Sequence, residues 1–144
     1  MLTSICVSAS AEDAKEKAIE NDRKLLKGTW RIVSLEVNGN KSKDENARKF
    51  TVVNGSDGKW SLRSEGNEII KGTNTIDPTL KPKTIKVTLT EGQDKGDSFL
   101  GIYELGEKTR KLCFAPAGKD RPTEFTSTPG DEHILVIFER EKVK

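Results

Sequence analysis

The chain has 144 residues, with 25 Lys or Arg against 23 Asp or Glu and a formal net charge of +2. That length suits one compact domain, and the balanced charge excludes the electrostatic drive that nucleic-acid and anionic-membrane binders rely on. Hydrophobic content is lean at 33%, yet two Trp, one Tyr and five Phe argue against disorder, and Gly and Pro recur without a period, which excludes collagen-like and low-complexity classes.

The apolar stretch Leu2 to Val7 is interrupted by polar residues and falls far short of the roughly 20 residues of a membrane-spanning helix. Ala9-Ser10-Ala11 before Glu12 fits the small-x-small pattern of a secretory cleavage site, with Leu2, Ile5, Cys6 and Val7 as a stub of an apolar core. Residues 1–11 therefore read as the tail of a signal peptide or as a disordered terminus, and the first reading implies a secreted or periplasmic protein. Ile5 stands where a lipoprotein signal requires a small residue, so no lipid anchor is expected on Cys6. Cys113 is then alone, suited to a small buried side chain in a strand and unable to form an internal disulfide or zinc site.

Residues 12–27 carry five acidic and five basic side chains. Asp13 with Lys17 and Glu20 with Lys24 stand at i,i+4 spacing, Ser10 is placed to cap, and Gly28 ends the pattern, which predicts an N-terminal helix over 12–27. Ala14, Ala18, Leu25 and Leu26 give it only a weak apolar edge. From residue 28 onward the period changes to two. Strands are predicted at 29–37, 50–53, 59–64, 69–76, 84–90, 99–105, 109–115 and 134–140, with a helical turn within 43–49. Asn38-Gly39 and Asn54-Gly55-Ser56-Asp57-Gly58 supply turns, and Asp77-Pro78 with Lys81-Pro82 a stiff connector. Ile85, Val87 and Leu89 alternate with Thr and Lys, the signature of a half-buried antiparallel strand. Eight strands joined mostly by short turns predict an all-β fold over 28–144, an up-and-down antiparallel barrel rather than an open sandwich, since closure removes exposed edges.

Gly28-Thr29-Trp30 after a leading helix, with Arg140 near the end of the last strand, resembles the signature of lipocalins and the wider calycin group. The resemblance extends through Leu26-Lys27-Gly28-Thr29-Trp30, Val33-Ser34-Leu35-Glu36-Val37, Leu100-Gly101-Ile102-Tyr103-Glu104-Leu105, Cys113-Phe114-Ala115-Pro116 and Gly118-Lys119-Asp120-Arg121-Pro122-Thr123-Glu124-Phe125. Over residues 24–141 the chain is similar to an uncharacterised lipocalin-like domain family abundant in Planctomycetes. That resemblance implies a calycin-type barrel in which Trp30 plugs the closed end and Arg140 packs across its ring. It brings no activity, ligand or catalytic residue with it.

No catalytic constellation can be nominated. His133 is the single histidine, placed among acids before the last strand and read as a solvated surface residue. One His and one Cys cannot build His/Cys zinc ligation, the Asp57 and Asp131 turns lack the carboxylate density of a calcium loop, and Gly118-Lys119-Asp120 lacks the remaining elements of a phosphate loop. No cofactor or metal is implied. Residues 116–130 read either as a recognition lid, with Arg121 contacting an anion, or as a strap anchored into the core by Phe125 and held by Asp120, Arg121 and Glu124. Ile70, Gly72, Ile85, Val87, Leu89, Leu100, Ile102, Leu112 and Phe114 would line a ligand cavity or complete a solid core. The leading reading is a non-enzymatic extracytoplasmic module that takes a small apolar or amphipathic ligand into its barrel, with Tyr103 and Arg121 orienting the polar end. The alternative is a protein-interaction or inhibitor module with a filled barrel that works through loops 91–98 and 116–130.

Overall fold

The computed structural model describes residues 2–142, with side chains from residue 11 onward, so the expectations for the side chains of residues 1–10, including Cys6, lie outside the described residues. A first helix, α1, spans Leu2–Leu26, and a one-turn helix, α2, spans Asp44–Ala47. The strands are β1 (Gly28–Val37), β2 (Asn40–Lys41), β3 (Phe50–Asn54), β4 (Lys59–Ser64), β5 (Asn67–Asp77), β6 (Lys83–Leu89), β7 (Ser98–Leu105), β8 (Thr109–Phe114) and β9 (Ile134–Arg140). Strands β3 to β9 pair antiparallel in chain order, β1 pairs with β3, and β1 also pairs with β9 from Trp30↔Arg140 to Val37↔Ile134. The eight long strands thus close into a barrel without a free edge, while β2 folds back on the end of β1 through the left-handed Asn38-Gly39 turn.

The helix begins earlier than the charge pattern indicated. No Gly or Pro interrupts residues 2–26, so Ser10 lies within the helix instead of capping it. Of the two expected i,i+4 pairs, Glu20–Lys24 forms at 3.4 Å between exposed side chains, a contact of little energetic weight. The last turns matter more. Leu26 joins the core and Asp22 is buried, accepting hydrogen bonds from the Tyr103 hydroxyl at 2.8 Å and Lys83 Nζ at 3.0 Å. These contacts seat α1 across the barrel end at which β1, β4, β6 and β8 begin.

At that end Trp30 is fully buried and donates from Nε1 to the Leu26 carbonyl at 2.9 Å. The Arg140 guanidinium lies over the Trp30 indole, 4.2 Å from its centroid. Its nitrogens also donate to the carbonyls of Leu25, Lys27 and Glu107, so one side chain caps the last turn of α1 and ties it to the β7–β8 turn. Gly28 adopts φ +123°, and a Cβ there would stand 3.1 Å from Arg140 Nη1.

The segment between β8 and β9 is a strap on the outer wall. Phe125 lies against outward-pointing Lys111, whose Nζ is 5.4 Å from the ring centroid, and Cys113 Sγ donates to the Thr126 carbonyl at 3.4 Å. The strap is fastened to the β1–β2 turn: Asn38 Oδ1 accepts from Gly130 N and Glu132 N, and Ser127 Oγ accepts from Gly39 N. Asp131 closes the bend by accepting from Thr128 and from His133 N. Phe125 is therefore a half-buried outer contact and not a core anchor. Asp120, Arg121 and Glu124 form no ion pair among the described residues. His133, expected in solvent, is half-buried within the strap, its Nδ1 3.4 Å from Asp131 Oδ2.

Candidate functional site

Strand alternation turns one face of every stave inward, and at mid-barrel those side chains line a partly open cavity of about 330 Å³. Ile85, Val87 and Leu89 of β6 and Leu112 and Phe114 of β8 line it as expected, together with Val52, Leu62 and Val136. In β1 a bulge between Ile32 and Ser34 shifts the register by one residue, which lets both Ile32 and Leu35 face the cavity. Leu26 of α1 reaches it from the closed end, while half-buried Phe50, Phe99 and Phe114 ring the opposite end, where β8 runs into the strap.

Two glycines shape the wall. A Cβ on Gly72 would meet the Trp60 ring at 2.5 Å and the Thr88 carbonyl at 2.3 Å, and one on Gly101 would meet the Phe114 ring at 2.5 Å. Trp60 lies across Gly72 and donates from Nε1 to the Thr73 carbonyl at 3.1 Å. Gly72 in mid-strand is thus the seat of an aromatic wall residue.

Leu100 and Ile102 are not part of this lining. Their register partners place Phe99, Gly101 and Tyr103 on the inner face of β7, so Leu100 and Ile102 point outward. Ile102 is buried there beside Cys113, which the strap covers. Burial pushes the Cys113 thiol above its ordinary pKa, in keeping with an inert packing residue.

The structure brings neither Tyr103 nor Arg121 to the cavity. Tyr103 is buried on the closed-end side, its hydroxyl committed to Asp22, and burial with that hydrogen bond drives its pKa upward. It borders a separate surface groove beside Pro78, Leu80 and Pro82. Arg121 sits in the strap, its Nε buried without a hydrogen-bond partner among the described residues.

The polar groups that do line the cavity are Asn54, Asn74 and Arg110, gathered at the closed end. Arg110 is only 3% exposed. Its guanidinium lies 4.0 Å from the Phe138 ring centroid and 5.0 Å from that of Trp30, and Nη1 donates to Asn54 Oδ1 at 2.7 Å. Among the described residues Nε has no acceptor, and no carboxylate stands within ion-pair distance of the group. Burial and the neighbouring Arg140 charge pull its pKa down to about 9, still above neutrality, so Arg110 is a cation at pH 7. Asn74 is held by Arg23, which donates to its side-chain and backbone oxygens.

Arg110 is the residue that sequence reasoning missed. With Leu112 and Phe114 assigned to the interior, period two carried back one step turns Arg110 inward as well. Among the described residues no group of three or more His, Cys, Asp or Glu is placed to hold a metal ion, and no helix is long and apolar enough to cross a membrane. Comparison of the chain with family models, with curated proteins and with solved structures finds no match in any of the three.

Proposed function

We infer that the protein is a carrier or sensor that holds a small apolar or amphipathic molecule inside its barrel. The observation that supports this is the cavity, at about 330 Å³ within the range of small-ligand sites. Its walls are almost wholly aliphatic and aromatic, so water inside finds few polar partners and an apolar occupant gains burial against them. Exposed large apolar residues among the described ones are Leu25, Val37, Ile69 and Leu80, none of them in loops 91–98 or 116–130. That distribution disfavours the alternative of a filled barrel recognising a protein through those loops. The support for action outside the cytoplasm is the Ala9-Ser10-Ala11 pattern and the apolar residues before it.

Titration with the neutral probe N-phenyl-1-naphthylamine tests the reading, because Trp60 in the cavity wall is positioned to transfer excitation to it. The wild-type protein is expected to bind one probe with a blue-shifted emission. Val87→Phe, which places a ring in mid-barrel, is expected to weaken binding at least tenfold with the far-ultraviolet circular dichroism unchanged. Absence of binding by wild type, or equal binding by the variant, contradicts an interior site.

A further inference from the structure

We propose that the closed end of the cavity is an anion subsite and that the ligand is a medium-chain amphiphile whose single carboxylate pairs with Arg110. The proposal rests on the carrier reading above and adds the chemistry of the head group. A charge this deeply buried is ordinarily neutralised by an acid, and a buried donor is ordinarily hydrogen-bonded. Arg110 has no acid partner among the described residues and is only partly hydrogen-bonded: Nη1 donates to Asn54, Nε has no acceptor among the described residues, and Asp22, on the helix that covers this end, is shared by Tyr103 and Lys83. The π faces of Trp30 and Phe138 hold the guanidinium plane in place but accept no conventional hydrogen bond.

The electrostatics point the same way. Arg140 lies over the same indole as Arg110, and Arg23 donates to Asn74 in the cavity wall, so two further cations stand at the closed end. A carboxylate there would meet a planar guanidinium in a site of low dielectric, where a charge-assisted bond is strongest. From Arg110 to Phe114 the wall runs about 13 Å along the strand at roughly 3.3 Å per residue, which suits an alkyl chain running from the closed end toward the Phe50, Phe99 and Phe114 rim.

The test compares decanoate with decanol, which share a chain and differ in charge, by displacement of the naphthylamine probe at pH 7. Wild type is expected to bind decanoate at least tenfold more tightly than decanol. In Arg110→Met the preference for decanoate over decanol is expected to vanish while the ligand-free melting temperature stays at or above that of wild type, since an unpaired buried charge has been removed. In wild type alone, decanoate and not decanol is expected to shift the Arg110 Nε–H resonance, a readout that stands even if the Met variant fails to fold. Equal affinity for the two ligands, a preference that survives in Arg110→Met, or an unmoved Nε–H resonance overturns the anion subsite and leaves the carrier reading in place. Failure of decanoate, decanol and the neutral probe to bind overturns both.

Discussion

Trp30→Ala is expected to cost about 4 kcal/mol, near the middle of the range for truncating a buried Trp. Trp30 is fully enclosed, and three kinds of contact disappear together. The indole fills the closed end among Leu26, Ile32 and Phe138. Its Nε1 ties β1 to the last turn of α1. Its ring is the surface on which the guanidinium groups of Arg110 and Arg140 rest, and without it Arg110 keeps Phe138 and Asn54 among the described residues. Because domains of this kind are stable by roughly 5–15 kcal/mol, the variant should be marginal at 37 °C though folded in the cold. Urea denaturation followed through Trp60 fluorescence measures the loss, and a decrease below about 1 kcal/mol would show that the closed end is not a packed plug.

Arg140→Ala is expected to cost about 2 kcal/mol, more than an exposed arginine would. Stacking on Trp30 supplies roughly 0.5–2 kcal/mol, and donation to the carbonyls of Leu25, Lys27 and Glu107 adds to it, discounted because the group is only half-buried. Arg140→Lys should recover less than half of the loss, since an ammonium cannot reproduce a planar fork bonded to three carbonyls while lying on a ring. The double variant Trp30→Ala/Arg140→Ala should fall short of the sum of the two by about 1 kcal/mol, the signature of a shared contact. A midpoint for Arg140→Ala within error of wild type would dismiss the side chain as a surface cation.

Most of the staves are legible in the sequence, for a physical reason. In an antiparallel barrel each stave has one buried and one wet face, so Ile85, Val87 and Leu89 alternate with polar residues, and Asn-Gly turns mark the reversals. Parity fails where both faces are dry. On β7 the outward face is covered by the strap, so Leu100 and Ile102 look as internal as Phe99 and Tyr103, and only pairing with β6 and β8 separates the two sets. The polar lining was illegible for a different reason. Asn54 stands where the sequence turns, Asn74 sits among threonines, and Arg110 opens a strand where a charge is normally in water. Each reads as exposed until the α1 plug closes that end above it. The strap was legible as a segment, and its course along the outer wall follows from contacts to Asn38 and Gly39 that no local pattern announces.

Ligand occupancy of the barrel interior is tested most directly by pressurising a crystal of the protein with xenon and locating the gas by anomalous scattering. An apolar cavity of about 330 Å³ is expected to take up xenon among Ile85, Leu112 and Val136, at a position displaced when Val87 is replaced by Phe. A barrel interior in which no xenon site forms, while xenon gathers only at the outer groove beside Leu80, would mean that the interior offers no apolar space and that the carrier function is wrong.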